Sequence, residues 1–268
     1  ISDTEMSKLA DFTETGDAHV LTINVKDASV NAKKLKDLDA VTTGVITVDS
    51  ATVEGEMDDI ASVYGAGATK IAGLGNEAVT VTDAITISEA NTLSGTYTSG
   101  LVKATIDAST KTELDALVTS ANEYSVTLKT DTTYVASDLK AIDSKTAGTV
   151  NASIVTNISG ALSDVKALYE SNVSGGLSGL GNEAVVITDE GTVAASDINY
   201  VNSNTSGALT VNKASSITGS IAEIKKTYSA YSEGTLTGLG DEAITISDIA
   251  PSSADVATIK GFTSGVVT

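Results

Sequence analysis

The sequence predicts an α/β chain: a right-handed β-α solenoid of strand–helix–strand–helix units, with one parallel sheet and helices packed on it. Three observations carry that expectation. An eleven-residue phrase is written three times, as GLGNEAVTVTD at 73–83, GLGNEAVVITD at 179–189 and GLGDEAITISD at 238–248. Five strands of alternating apolar and polar residues end in an acid, at Asp27, Asp83, Asp131, Asp189 and Asp248, spaced 56, 48, 58 and 59 residues apart. A glycine follows each acid 17 or 18 residues later, at Gly44, Gly100, Gly148, Gly207 and Gly265. Self-similarity at a fixed period is the signature of a repeat architecture.

Each unit opens on a strand, such as VLTINVKD or YSVTLKTD, whose period of two presents one apolar face. A short helical stretch follows the acid and stops at the glycine turn. A second strand comes next (VITV, LVKATI, TVNASI, ALTV and VVT). The second helices carry one apolar face, with Met57, Ile60 and Tyr64; Leu114, Leu117 and Val118; Leu162, Val165 and Tyr169; and Ile221, Ile224 and Tyr228 at helical spacing. The pairs Thr86 with Glu89, Thr110 with Glu113 and Ser252 with Asp255 read as capping boxes or near variants. Pro251, the single proline, precedes a helix start, where its missing amide proton does no harm.

The phrase sits at the splice between units. Its glycines, Gly73 and Gly75, Gly179 and Gly181, Gly238 and Gly240, read as tight turns after a helix end. They do not read as a phosphate loop, because the strand follows them and no Lys-Ser/Thr completes the motif. Residues 1–17 show no repeat and are expected to be a cap, linker or frayed coil. Residues 18–268 form a single solenoid domain of about 4.5 repeats, at 18–78, 79–123, 124–184, 185–243 and 244–268. A parallel strand–helix–strand crossover is right-handed in nearly every case, which sets the hand. About ten strands at roughly 4.8 Å give a rod of about 45 Å.

Sixteen Lys, no Arg and thirty-five acids leave a net charge of −19. That balance excludes nucleic acid as a partner, since phosphate binding needs a basic surface. No long apolar run exists to insert in a membrane. Cysteine is absent, so disulfides and thiolate metal sites are ruled out. The chain begins at Ile1 and stops at Thr268 in mid-pattern, and both ends read as cuts from a longer protein.

The chemistry is sparse. The five strand-end acids form the one candidate metal set, a carboxylate ladder for Ca²⁺ with Asn76-Glu77, Asn182-Glu183 and Asp241-Glu242 as further oxygens. Against it stands their use as helix caps or Asx turns. The reading requires no cofactor. Thr80, Thr82 and Thr245 suggest a threonine face, for which solvated β-branched strand residues are the simpler account. Tyr64, Tyr169 and Tyr228 occupy matching places and are read as packing residues ahead of sugar-stacking ones. His19, the single histidine, lies in the unpatterned start, so no catalytic triad or histidine metal pair is expected, and the chain is not read as an enzyme.

The phrases GLGNEAVTVTD, TSG at 98–100 and SGALSDVKALY at 159–169 resemble repeats of very large secreted or cell-surface proteins of marine cyanobacteria, some of them associated with haemolysin-type calcium-binding segments. Related repeats occur in phage tail fibres. The resemblance covers 18–268 and implies a structural segment of a larger extracellular protein, in a surface layer, filament or adhesin rod. It implies a place at the cell surface, or on a virion if the chain comes from a phage. Expected partners are the protein's own continuation or further copies, by end-to-end or lateral packing, and surface glycans. The alternative is the binding module of a phage tail fibre or glycan-recognising adhesin. The calcium nonapeptide of β-rolls is missing from the chain.

Overall fold

The computed structural model describes residues 3–9, 20–65 and 70–268. His19 and most of the expected 1–17 segment lie outside them. The chain divides into two compact units, Ile1–Thr127 with Lys145–Thr149 and Leu128–Ser144 with Val150–Thr268. Among the described residues the fold is mixed α/β, built of parallel sheets with helices packed on them and no closed barrel.

In the first unit a 3-10 turn (Met6–Leu9) precedes β1 (Ile23–Val25), β2 (Ser29–Asn31) and α1 (Ala32–Val41). Next come β3 (Ile46–Val48), β4 (Thr52–Gly55) and α2 (Met57–Gly65), then β5 (Ile71–Ala72), β6 (Ala78–Ile85) and α3 (Ile87–Thr92). A π-turn (Leu93–Tyr97), β7 (Val102–Ser109), α4 (Lys111–Leu114) and β8 (Glu123–Leu128) complete it. The strands fall into a three-stranded sheet, β1-β3-β5, and the run β2-β4-β6-β7-β8.

The second unit holds β9 (Thr133–Val135), α5 (Ala136–Asp143), β10 (Val150–Asn151), β11 (Asn157–Gly160), α6 (Leu162–Ser174), β12 (Leu177–Ser178) and β13 (Ala184–Ile187). It continues with β14 (Thr192–Ala194), α7 (Ala195–Asn204), β15 (Leu209–Val211), β16 (Ser216–Gly219), α8 (Ile221–Glu233), β17 (Leu236–Thr237), β18 (Ala243–Ile246) and α9 (Ser253–Lys260). Here the order is β9-β11-β13-β15-β17 in one sheet and β14-β16-β18 in another, with β10 paired to β12.

The pairing is parallel and joins each segment to the next along the sequence. Ile23 faces Ile46, which faces Ile71. Ile158 faces Val185, which faces Leu209, and Ile217 faces Ile244. These residues are buried, so within each sheet the apolar partners stack in register as a core row. Each such side chain taken out of water contributes about 1.5–3 kcal/mol. The helices add one face each: Leu35 and Leu38 from α1, Ile60 and Val63 from α2, Val165 and Leu168 from α6, Ile224 and Tyr228 from α8. Neighbouring helices pack on one another, α1 on α2 and α5 through α9 in turn.

The structure departs from the sequence reading in two respects. The strands form several parallel sheets rather than one, because most strand–helix halves carry two short strands with a corner between them. The additional strands, such as β2, β9 and β14, have three residues and one inward side chain each: Val30, Tyr134 and Val193. The second difference lies in repeat 79–123. The helix expected from Leu114, Leu117 and Val118 is only the four residues of α4, and Val118 stands 59% exposed while both leucines are buried.

The capping boxes at Thr86 with Glu89 and Thr110 with Glu113 are formed, and Ser220 with Glu223 makes a third. Thr80 is flanked in register by Glu54 and Lys103, so no threonine row runs across these strands.

Candidate functional site

The most elaborate polar chemistry lies at the repeated phrase. In each copy the phrase follows a two-residue strand that ends its sheet: β5 ends β1-β3-β5, β12 ends the run through β10, and β17 ends the five-stranded sheet. The strand after the phrase pairs on both sides. Val79 of β6 faces Val53 and Val102, and Val185 of β13 faces Ile158 and Leu209. The phrase therefore carries the chain off a finished sheet and into the next one.

All six phrase glycines have positive φ, Gly73, Gly179 and Gly238 near +90° and Gly75, Gly181 and Gly240 between +126° and +140°. A side chain is strained there. At Gly73 a Cβ would also stand 2.3 Å from the Val48 carbonyl oxygen.

A buried glutamate closes the turn. Glu77, Glu183 and Glu242 are 4%, 0% and 3% exposed. The Glu77 carboxylate accepts from the amides of Gly75 at 2.8 Å and Asn76 at 3.1 Å. Glu183 accepts from Gly181 at 2.8 Å and Asn182 at 3.1 Å. Glu242 accepts from Gly240 at 2.8 Å and Asp241 at 3.2 Å. The Tyr64 hydroxyl donates to Glu77, and that of Tyr169 donates to Glu183. Burial, and then the bond to a carboxylate, push both phenols far above their usual value. In the third copy neither the Tyr228 hydroxyl nor Glu242 Oε1 has a partner among the described residues.

The glutamate's backbone forms the next link. Its carbonyl oxygen accepts from a threonine hydroxyl one segment later, Thr98 at 2.6 Å, Thr205 at 2.8 Å and Thr263 at 2.6 Å. Each hydroxyl also accepts from the amide two residues on, at Gly100, Gly207 and Gly265. A Cβ on those glycines would sit 2.2, 2.2 and 2.3 Å from the same glutamate carbonyl oxygen. The threonine and glycine recur without the phrase. Thr42 and Gly44 seat on the Leu21 carbonyl, and Thr146 and Gly148 on that of Tyr124. Thr-x-Gly is thus a five-fold backbone clasp between consecutive segments, and a Tyr–Glu bond reinforces it at two of the three sheet ends.

The five strand-end acids are kept apart, one per repeat. Four cap a helix, but the helix belongs to the segment before, not the one that follows. Asp83 accepts from Met57 N at 2.8 Å, Asp189 from Leu162 N at 2.7 Å and Asp248 from Ile221 N at 2.6 Å, the first residues of α2, α6 and α8. Asp27 accepts from Met6 N at 2.8 Å at the 3-10 turn. A carboxylate there satisfies an orphan amide and complements the positive end of the helix dipole. Burial, and then the charge of Asp131, push the Tyr134 phenol up to about 12. Among the described residues no three acid, histidine or cysteine side chains gather as a metal site. Nor is any helix long and apolar enough to cross a membrane.

Sequence reasoning singled out the right phrase but not its glutamate as a buried cap, nor the threonine two places before each glycine. A signal was present: a tyrosine stands 13 or 14 residues before each phrase glutamate, at Tyr64, Tyr169 and Tyr228.

The helices carry a matching ladder. Lys36 pairs with Asp59 at 2.7 Å, Lys140 with Asp164 at 2.9 Å, Lys166 with Asp197 at 2.8 Å and Lys225 with Asp255 at 2.6 Å. Each joins one helix to the third residue of the next. No family model, curated protein or solved structure matches this chain.

Proposed function

We propose that the chain is a right-handed β-α solenoid that serves as a structural repeat segment of a larger extracellular protein, in a surface layer, filament or adhesin rod. The observation that carries this reading is the Thr-x-Gly clasp, made five times in one geometry between consecutive segments. The polar groups in these clasps are spent on holding one segment to the next. An array that repeats one interface has stability that adds along its length and offers ends on which further segments or copies stack. Few lysines serve a charge of −19, and several of them sit in the helix-to-helix ladder.

Small-angle scattering and electron microscopy of the purified chain test this. The expected particle is elongated, and it associates end to end or laterally as concentration rises. A spherical monomer at every concentration removes the rod. The calcium form of the reading predicts a rise in melting temperature with Ca²⁺ beyond that given by matched ionic strength. Equal melting curves with calcium and with a chelator remove it.

A second reading, the binding module of a phage tail fibre or glycan-recognising adhesin, is favoured by one feature: the repeat is broken at residues 91–122, where grooves open.

A further inference from the structure

The break lies in the repeat that lacks the GLGNEA phrase. There α3 gives way to a π-turn at Leu93–Tyr97, and α4 stops after four residues, so no second helix covers the segment. A π-turn inside a helix frequently marks a functional position. Two grooves flank it. One, of about 540 Å³, runs from Asn91 and Ser94 across Ser99 and Leu101 to Val118 and Ser120. The other, of about 630 Å³, carries the stacked rings of Tyr64 and Tyr97, whose centroids are 5.3 Å apart. Both grooves share Ser94, Gly95, Thr98 and Ser99 as a common wall. Each volume is in the range of a small-ligand site.

The lining chooses the ligand class. No Lys, Asp, Glu or His is among the described residues of either groove, in a chain with fifty-one charged side chains. Among those lining residues a cation finds no carboxylate and an anion finds no ammonium. The Ser94 hydroxyl donates to the Ala90 carbonyl at 3.1 Å and that of Ser99 to the Gly75 carbonyl at 3.2 Å. Their protons are spent, and what they have left to offer are lone pairs. A ligand that brings O–H or N–H donors meets these lone pairs, and the hydroxyls of Thr96, Thr119 and Ser120 in the same linings can both donate and accept. Leu101 and Val118, 43% and 59% exposed, add apolar carbon beside these acceptors. Apolar patches next to hydroxyl acceptors suit a pyranose ring, with its C–H face and its hydroxyl rim. The aromatic pair across the π-turn adds a stacking platform.

We propose that the grooves flanking the π-turn bind a neutral oligosaccharide, with successive sugar rings on the two sides of Gly95. This deepens the second functional reading and is independent of whether the segments assemble into rods.

Titration calorimetry of the whole chain with cellohexaose, chitohexaose and mannohexaose tests it, with hexaguluronate as the anionic probe. At least one neutral hexamer is expected to bind and the anionic one is not. A Cβ at Gly95 meets nothing within 4 Å, so Gly95→Leu fits the fold while filling the shared wall. Gly95→Leu and Val118→Asp are each expected to weaken binding at least about tenfold, the scale of one lost well-packed contact. The control Val173→Asp, on exposed α6 surface, leaves binding unchanged. Melting curves of all three variants report folding. The proposal is overturned if no neutral hexamer binds with a dissociation constant of about 1 mM or tighter. It is equally overturned if hexaguluronate binds as tightly, or if folded Gly95→Leu and Val118→Asp bind as the parent does. Failure here with rods still visible by microscopy removes the glycan reading alone.

Discussion

Gly207→Ala isolates the clasp from everything else in the fold. The added Cβ would stand 2.2 Å from the Glu183 carbonyl oxygen and 2.5 Å from its carbon, against the 3.0 Å below which real Cβ contacts essentially never fall. Both partners are backbone, and both are fixed. Thr205 donates to the Glu183 carbonyl oxygen at 2.8 Å, and the Glu183 carboxylate is held by two amides and Tyr169. The two segments must therefore separate by most of an ångström, or the Thr205 bond must break. Overpacking of a rigid site costs about 1–3 kcal/mol, and occasionally more. Backbone on both sides places this one near 3 kcal/mol. Alanine also restricts the unfolded chain, which returns about 0.4–1 kcal/mol. The net loss is about 2–3 kcal/mol, or a fall of roughly 4–12 °C in melting temperature at about 2–4 °C per kcal/mol for a chain of this size. Urea denaturation followed by circular dichroism measures it. Gly191→Ala is the matched control, because nothing lies within 4 Å of its Cβ and its φ is ordinary. If Gly207→Ala is as stable as Gly191→Ala, the clasp does not hold the segments and the reasoning fails.

Three further outcomes are expected. Tyr169→Phe removes a hydrogen bond to a fully buried carboxylate and should cost about 1.5–3 kcal/mol, whereas Tyr228→Phe, whose hydroxyl has no partner, should cost little; equal losses in chemical denaturation would contradict the geometry. Asp189→Ala, which uncaps α6 from a distance of 27 residues in sequence, should cost about 0.5–2 kcal/mol and speed amide exchange at Leu162; unchanged exchange there would count against it. Stability should fall at both ends of the pH scale. The hydrogen bond from Lys225 holds Asp255 below the ordinary 3.8, and that from the Ser220 backbone holds Glu223 below 4.5. Their contribution is present above the unfolded values and is lost as pH drops through the lowered folded ones. Tyr64, Tyr169 and Tyr134 are raised above 10 chiefly by burial, so their contribution is complete below 10 and disappears as pH climbs beyond it. Thermal melts across pH 2–12 check both limbs, and phenolate absorbance should show these three tyrosines ionising only as the chain unfolds.

Periodicity reveals what recurs over many residues. The long strands of alternating residues, such as β6 and β8, and the one-faced helices α2, α6 and α8 were legible because their burial pattern repeats several times within one element. The three-residue strands β2, β9 and β14 were not, since one buried residue cannot establish a period of two. That is why one sheet was expected where several exist. Val118 misled for the opposite reason. It falls at helical spacing after Leu114 and Leu117, but the chain has already left the helix, and Asn91 holds the Val118 amide at 3.0 Å instead. Three of the strand-end acids cap an α-helix, but that helix lies about 27 residues back, which local spacing does not show.

The distribution of the phrase follows from where sheets stop. A strand that ends a sheet leaves its outer backbone groups without a strand partner, and the chain must leave that edge without burying unpaired amides. GLGNEA meets the requirement with its own atoms. Two glycines in left-handed conformation lift the chain off the edge, and the glutamate turns back to receive two of the amides thus exposed. Repeat 79–123 has no such need, because its sheet runs on through β6, β7 and β8 without ending, and the phrase is absent there. The same absence leaves the segment without the Tyr–Glu reinforcement and with only a four-residue second helix. The uninterrupted sheet thus accounts for the missing phrase, and the groove that runs to Val118 lies beside the short second helix.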